Sequence, residues 1–117
     1  MKSEITQNIL NLFRIKYVLL NKDMTFRPDN PSLFLEYFNF KPEDLSLPIT
    51  ELFPELIGSE DKLLEVFTKN NFTYSIHKII RICENEREIV FSLHFLPLKI
   101  NPYIILMIIE DDTKEAV

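Results

Sequence analysis

Residues 103–110 read YIILMIIE, an unbroken apolar run of strand-forming residues. A strand with one solvated face alternates apolar and polar residues, and this run does not, so both of its faces are expected to be covered. It predicts a central strand of a sheet that has helices packed on one face. The pattern does not say which set of side chains points toward the helices: Ile104, Leu106 and Ile108, or the alternate residues Tyr103, Ile105 and Met107.

The remaining strands are predicted from residue type and turn signals. Phe72–Cys83 and Arg87–Leu98 are rich in β-branched and aromatic residues and are separated by the polar tip Glu84-Asn85-Glu86, which is typical of a hairpin. Two shorter strands, Lys16–Leu20 and Met24–Arg27, are expected near the start of the chain on either side of a polar turn.

The middle of the chain predicts several short helices rather than one long one. Residues 31–38 form the first candidate and residues 48–53 the second, with prolines interrupting between them. Gly58, the single glycine, is expected to end one helical segment, and Ser59 to cap the next, Glu60–Thr68. A structural role for this glycine is favoured over contact with a ligand.

Residues 3–14 predict an amphipathic N-terminal helix. Its apolar residues recur at helical spacing and form a single stripe: Ile5, Ile9, Leu12 and Phe13. A helix of this length is marginal in water by itself, so the stripe is expected to dock either on the free sheet face or on a second copy of the chain.

Composition narrows the class of protein. The 117 residues are 46% hydrophobic with a formal net charge of −5, which fits one globular domain and disfavours a nucleic-acid surface. The single cysteine, Cys83, excludes an internal disulfide. With neither a signal-peptide pattern nor an apolar run of about 20 residues, the chain is expected to be cytoplasmic and to make no membrane contact.

Four segments in this order resemble a PAS domain of bacterial signalling proteins. They are Tyr17-Val18-Leu19-Leu20, DLSLPITELFPELIGSEDKLLEVF (44–67), FSLHFLPL (91–98) and IILMIIEDDTK (104–114), the last with the Asp-x-Thr signature Asp111-Asp112-Thr113. The resemblance divides the chain into an N-terminal helix (1–15), a PAS-like domain (16–114) and the start of a linker (115–117). It implies an α+β fold: a five-stranded antiparallel sheet in the order 2-1-5-4-3, with short helices on one face and the N-terminal amphipathic helix on the other.

The resemblance also implies a function. PAS domains are sensory and dimerising modules rather than enzymes, and they pass a signal to an output domain such as a kinase, a cyclase, a diguanylate cyclase or a DNA-binding domain. No such output module is present in these 117 residues. Asp111 and Thr113, at the junction with the following segment, are the expected signal-relay residues.

A ligand site, if there is one, is expected in the apolar interior. Phenylalanines would line it, and the alternative, which is favoured, is that they fill the core: Phe26, Phe34, Phe38, Phe53, Phe67, Phe91 and Phe95. Cys83 lies at a strand end rather than on a middle helix, which argues against a flavin adduct or a thiol-linked chromophore. We therefore predict no cofactor.

His77 and His94 are the only histidines. If the aromatic residues of their strands face the helices, strand parity directs both histidines to the opposite face, which argues against haem ligation in the pocket. They are weak candidates for a shared metal because no third ligand is evident. A cross-strand pair would instead suit a pH-sensitive dimer interface. A bulge at residues 78–80, where alternation breaks, would alter this parity.

The expected homodimer interface combines the N-terminal stripe with the outer sheet face. Its residues are Ile5, Ile9, Leu12, Phe13, Ile104, Leu106 and Ile108. Three alternatives to a sensory module remain: a small α+β enzyme, a carrier of an apolar small molecule, and a pure dimerisation scaffold. The enzyme is disfavoured because the acidic residues cluster in turns and helix starts and because no nucleophile or phosphate-binding motif is found.

Overall fold

The computed structural model describes residues 15–27, 32–69, 71–83, 86–98 and 104–113. Its strands are β1 Lys16–Leu20, β2 Tyr74–Ile82, β3 Glu88–Leu98 and β4 Ile104–Asp111. Its helices are α1 Ser32–Phe38, α2 Ile49–Leu52 and α3 Glu60–Thr68, with 3₁₀ turns at Pro42–Ser46 and Pro54–Leu56. The predicted N-terminal helix lies outside the described residues, and so does the predicted linker at 115–117.

The strands form one antiparallel sheet in the order β1-β4-β3-β2. Strand β4 lies between β1 and β3, so that Met107 is opposite both Val18 and Phe95. The strand without alternation is therefore an interior strand, as its two apolar faces predict. The strands β1, β4, β3 and β2 correspond to strands 1, 5, 4 and 3 of the expected order 2-1-5-4-3, so this part of the predicted order is reproduced.

The predicted second strand, Met24–Arg27, differs from the expectation. It is reduced to two isolated bridges, Leu20 to Phe26 and Thr25 to Pro48, so the described residues give four strands rather than five. The backbone NH of Asn21 donates to the carbonyl of Thr25 at 2.8 Å, and Met24 has a φ of 69°. This tight turn directs the chain toward α2, and further sheet pairing stops after one residue.

The two faces of the sheet bury different clusters. Val18 and Leu20 of β1, with Ile105, Met107 and Ile109 of β4, join the main core beneath the helices. Tyr17, Leu19, Ile104 and Leu106 form a smaller buried cluster on the opposite face, with Ile108 packed against it. The facing that the sequence left open is thus resolved: the alternate set containing Ile105 and Met107 points toward the helices.

The helical connection follows the expected boundaries closely, and Ser59 lies at the expected N-cap position of α3. Gly58 has a φ of +96°, a region that favours glycine, and it separates the second 3₁₀ turn from α3. Ser59 makes no side-chain capping bond; its hydroxyl is instead 3.1 Å from the Tyr74 hydroxyl. Glu60 accepts a hydrogen bond from the Gly58 NH at 2.9 Å. No helix in the described ranges is long and apolar enough to cross a membrane.

Candidate functional site

The phenylalanines predicted for the interior converge between the helices and the sheet. Their rings contact one another edge to face: Phe38 lies 5.4 Å from Phe34, 5.1 Å from Phe53 and 5.0 Å from Phe91, between ring centroids. All of the predicted set are buried: Phe26, Phe34, Phe38, Phe53, Phe67, Phe91 and Phe95. This arrangement fits the favoured alternative, in which the rings pack on each other as a core.

A cation that the sequence reasoning missed lies against these rings. The guanidinium carbon of Arg81, on β2, is 5.5 Å from the ring centroid of Phe38, 5.1 Å from that of Phe53 and 5.5 Å from that of Phe91. Its Nη2 donates to Glu55, 2.7 and 2.8 Å from the two carboxylate oxygens, and lies 3.1 Å from the carbonyl oxygen of Leu52. This group of residues joins the edge strand to the segment that follows α2.

The position of Arg81 depends on a β-bulge in β2. Ile76 is opposite Leu93, but Ile79 is opposite Phe91, so β2 has one extra residue there, and Lys78 has a φ of 59°. Beyond the bulge the alternation is reversed, so that Ile79 and Arg81 face the helices. The irregular stretch at residues 78–80 was the available signal for this reversal.

The predicted relay residues Asp111 and Thr113 lie together at the end of β4. The Tyr37 hydroxyl of α1 donates to Asp111 Oδ1 at 2.7 Å, and the Thr113 NH donates to the same oxygen at 3.1 Å. The Thr113 hydroxyl is 2.8 Å from the Val90 NH and 3.2 Å from the Val90 carbonyl oxygen. The signature therefore connects the end of β4 to α1 and β3.

Opposing effects act on the two ionisable partners of this connection. Burial raises the pKa of the Asp111 carboxyl, but hydrogen bonds from Tyr37 and Thr113 and the positive charge of Lys16 outweigh it, so the pKa lies below its ordinary value. Burial also raises the pKa of the Tyr37 hydroxyl, and its bond to Asp111 raises it further. Asp111 is therefore held as a carboxylate and Tyr37 as a neutral donor.

A second connection lies beside the first and involves the bulge. The buried hydroxyl of Ser92 donates to Asp112 Oδ2 and accepts from the Lys78 backbone NH at 3.2 Å. Lys78 Nζ is 3.6 Å from Asp112 Oδ1, and the Asp112 NH donates to the Val90 carbonyl at 2.7 Å. We use the name C-terminal tie for Tyr37, Val90, Ser92 and Asp111–Thr113 together.

Both histidines lie on the face away from the aromatic interior, as strand parity predicts. Their ring centroids are 5.6 Å apart, but the register places Ser75, not His77, opposite His94. His94 Nδ1 is 2.8 Å from the Ser75 hydroxyl, and Nε2 is 2.9 Å from Glu110. Within the described ranges, no three His, Cys, Asp or Glu side chains are placed to hold a metal ion.

This histidine-bearing face carries a groove of about 720 Å³, which Ser75, His94 and Glu110 line together with the apolar side chains of Ile15 and Ile108. The predicted interface residues Ile104 and Leu106 lie on the same face, in the smaller buried cluster. The remaining predicted interface residues, Ile5, Ile9, Leu12 and Phe13, lie outside the described residues.

No protein-family profile and no curated protein matches the sequence. Among solved structures, the PAS domain of an HTR-like protein from Haloarcula marismortui matches with a TM-score of 0.62 at 15% identity, over 93% of this chain and 98% of that one.

Two further structures agree with the first. A sensory box sensor histidine kinase from Vibrio cholerae matches with a TM-score of 0.58 at 14% identity, over 97% of this chain and 94% of that chain. A PAS domain from a two-component sensor histidine kinase gives a TM-score of 0.56 at 13% identity, over 94% and 99%. With the β1-β4-β3-β2 sheet and the short helices on one face, these matches show that the chain has the fold of a PAS domain.

Proposed function

We propose that this chain is a sensory and homodimerising module that passes the state of its aromatic interior to an output domain through the C-terminal tie. The observation that carries the proposal is the 2.7 Å hydrogen bond from the Tyr37 hydroxyl to Asp111. It joins a helix that packs on the interior to the last residue of β4.

Tyr37 is placed to couple the two regions. Its ring contacts Phe38 at 5.0 Å and Phe91 at 6.5 Å between centroids, so its position depends on how the interior rings pack. A shift of those rings would move the hydroxyl and weaken its bond to Asp111. Because packed interiors change between discrete arrangements rather than deforming continuously, a small change there can produce a two-state response at the tie.

The output partner is proposed from the similar structures. Two of them are named as parts of sensor histidine kinases, which supports a kinase as the output; a cyclase, a diguanylate cyclase or a DNA-binding domain remain alternatives. A bacterial cytoplasmic setting is part of the same proposal. We propose no catalytic role for this chain.

Homodimerisation is proposed through the sheet face opposite the helices. Leu19, Ile104 and Leu106 form an apolar cluster on that face that is already buried within one chain, with the partly buried Ile108 packed against it. A second copy would meet Ile108 and the stripe of residues 1–14 beside this cluster. An interface of about 800 Å² per chain would be of standard size.

The relay can be tested by perturbing the interior and measuring the tie. Phe53→Leu changes the ring packing without touching the tie, and we expect the backbone amides of Asp112 and Thr113 to exchange hydrogen about tenfold faster, measured by NMR. In a Tyr37→Phe background, the same substitution should leave that exchange unchanged. Thr68→Val, which removes an exposed side-chain bond to the Leu64 carbonyl, is the control.

The two main outcomes separate relay from scaffolding. If Phe53→Leu alters exchange in the interior but leaves Asp112 and Thr113 unaffected, the domain does not relay and is a scaffold. Native mass spectrometry of the freshly purified chain adds the assembly state: two bare chains support a dimeric module with a filled core, and extra mass lost on denaturation identifies a bound ligand.

A further inference from the structure

The guanidinium of Arg81 is surrounded by the elements of a cation-binding cage. Three phenylalanine rings, of Phe38, Phe53 and Phe91, lie within 5.1 to 5.5 Å of its central carbon. Cations are attracted to aromatic ring faces within about 6 Å of the centroid, and the attraction strengthens when the rings are shielded from water. All three rings are buried.

The cage also selects for hydrogen-bond donors. The Glu55 carboxylate supplies a negative charge, with both of its oxygens within 2.8 Å of Arg81 Nη2. The Leu52 carbonyl oxygen adds a third acceptor at 3.1 Å from the same nitrogen. A cation without N–H groups would leave these acceptors without partners, which is costly at a partly buried site.

The guanidinium in the cage is the end of a flexible side chain on an edge strand of the described sheet. Arg81 belongs to β2, an edge strand of the described sheet, and its side chain is 20% exposed, so the cage is open to solvent on one side. The guanidinium is carried by a long side chain with several rotatable bonds, which allows it to leave the cage while the strand remains paired.

We propose that this cage is a binding site for small planar organic cations of the guanidinium or amidinium class, with Arg81 as its resident occupant. An external cation of this class replaces the Arg81 guanidinium over the three rings and bonds to Glu55 and Leu52. Arg81 thus acts as a built-in competitor that sets the concentration at which an external cation binds.

The inference rests on the proposed sensory function only for its physiological meaning. Phe38 and Phe91 also contact Tyr37, so exchange of the occupant would act on the rings that are proposed to control the tie. Binding of a cation is measured independently of the relay. If the chain binds cations but hydrogen exchange at Asp112 and Thr113 does not change, the binding site is supported and the relay is refuted.

The test removes the Arg81 side chain from the cage and adds a small organic cation as a probe. For the variant Arg81→Ala, we expect the midpoint of thermal unfolding to rise by about 5 °C when methylguanidinium is present at roughly ten times its dissociation constant. Tetramethylammonium, which has the charge but no N–H group, should give a much smaller rise. Arg81→Ala combined with Glu55→Gln should lose most of the response to methylguanidinium.

The matched control is a cation that contacts a single, partly buried ring. Lys69 Nζ lies 5.5 Å from the Phe72 ring centroid and 3.1 Å from the Glu65 carboxylate, so it has a ring and a carboxylate but no cage. For Lys69→Ala, methylguanidinium should not raise the midpoint of thermal unfolding. An equal response of Lys69→Ala and Arg81→Ala, or the absence of any response in Arg81→Ala, would overturn the proposal.

If Arg81→Ala does not fold at any probe concentration, the site is tested instead by titration of the wild-type chain. Methylguanidinium should then shift the ring resonances of Phe38, Phe53 and Phe91 in a saturable NMR titration, whereas sodium at the same ionic strength should not. The absence of saturable shifts at these rings refutes the site.

Discussion

Substitution of Ser92 by alanine tests how strongly the C-terminal tie is held. The Ser92 side chain is buried, with 1% of the residue exposed, and its hydroxyl bonds both to Asp112 Oδ2 and to the Lys78 NH at the bulge. Ser92→Ala removes the hydroxyl and both of its hydrogen bonds, so the Asp112 carboxylate and the Lys78 amide each lose a partner.

The expected loss follows from the burial of each partner. The Asp112 side chain is only 11% exposed, so water replaces the lost bond poorly; hydrogen bonds to charged groups contribute about 1.5–3 kcal/mol. The bond from the Lys78 amide is longer, at 3.2 Å, and joins two neutral groups, so we expect it to add less. We expect the free energy of unfolding to fall by about 2 kcal/mol, with a thermal midpoint lower by roughly 8 °C.

Urea unfolding followed by circular dichroism measures this loss, since an unchanged m-value with a lower midpoint reports stability alone. Ser46→Ala is the matched control, because its exposed hydroxyl donates to the Glu43 carbonyl at 2.8 Å; about 0.5 kcal/mol or less is expected. If Ser92→Ala costs no more than Ser46→Ala, the tie contributes nothing beyond a surface bond, and the reasoning fails.

Tyr37→Phe should flatten the stability profile at both ends of the pH range. The pKa of Asp111 is lowered in the folded chain, which adds stability above about pH 4 that is lost on acidification. The pKa of Tyr37 is raised, which adds stability below about pH 10 that is lost as the pH rises. Unfolding midpoints measured across the pH range test both effects. Ile9→Glu with Phe13→Glu should give monomers in sedimentation analysis, while the control Ile57→Glu, at an exposed site, should not; a dimeric double variant excludes this interface. Gly58→Ala should cost about 1 kcal/mol from the φ of +96° alone, since in the described part of the chain no atom beyond the two adjacent residues lies within 4 Å of the added methyl group; an unchanged urea midpoint would contradict this.

The sequence predicted the features that depend on local pattern. Two-sided apolarity placed β4 inside the sheet, and the acidic first turn of Glu60–Thr68 after Ser59 marked a helix with the observed bounds. Ser59 occupies the predicted N-cap position, but its hydroxyl makes no capping bond and instead contacts the hydroxyl of Tyr74, which lies far along the chain. Such tertiary hydrogen bonds leave no local signal.

The candidate cage was missed for a similar reason. Uninterrupted alternation from Tyr74 would turn Ile80 and Ile82 inward and Arg81 outward, but the bulge reverses this. Ile80 and Ile82 are 64% and 69% exposed, and Arg81 lies against the rings. The position of a one-residue bulge is set by its partners across the ladder, here Leu93 and Phe91, and not by β2 alone.

The bulge at Lys78 also bears on how copies of this chain can associate. An edge strand offers unpaired backbone groups to any other strand that approaches, and uncontrolled growth of the sheet in that direction leads to aggregation. Here β2 is interrupted at its middle by a left-handed residue with an exposed ammonium group, so a long, flat edge is not presented. Strand-by-strand extension on this side of the described sheet is therefore disfavoured, which is compatible with the face-to-face pair proposed above.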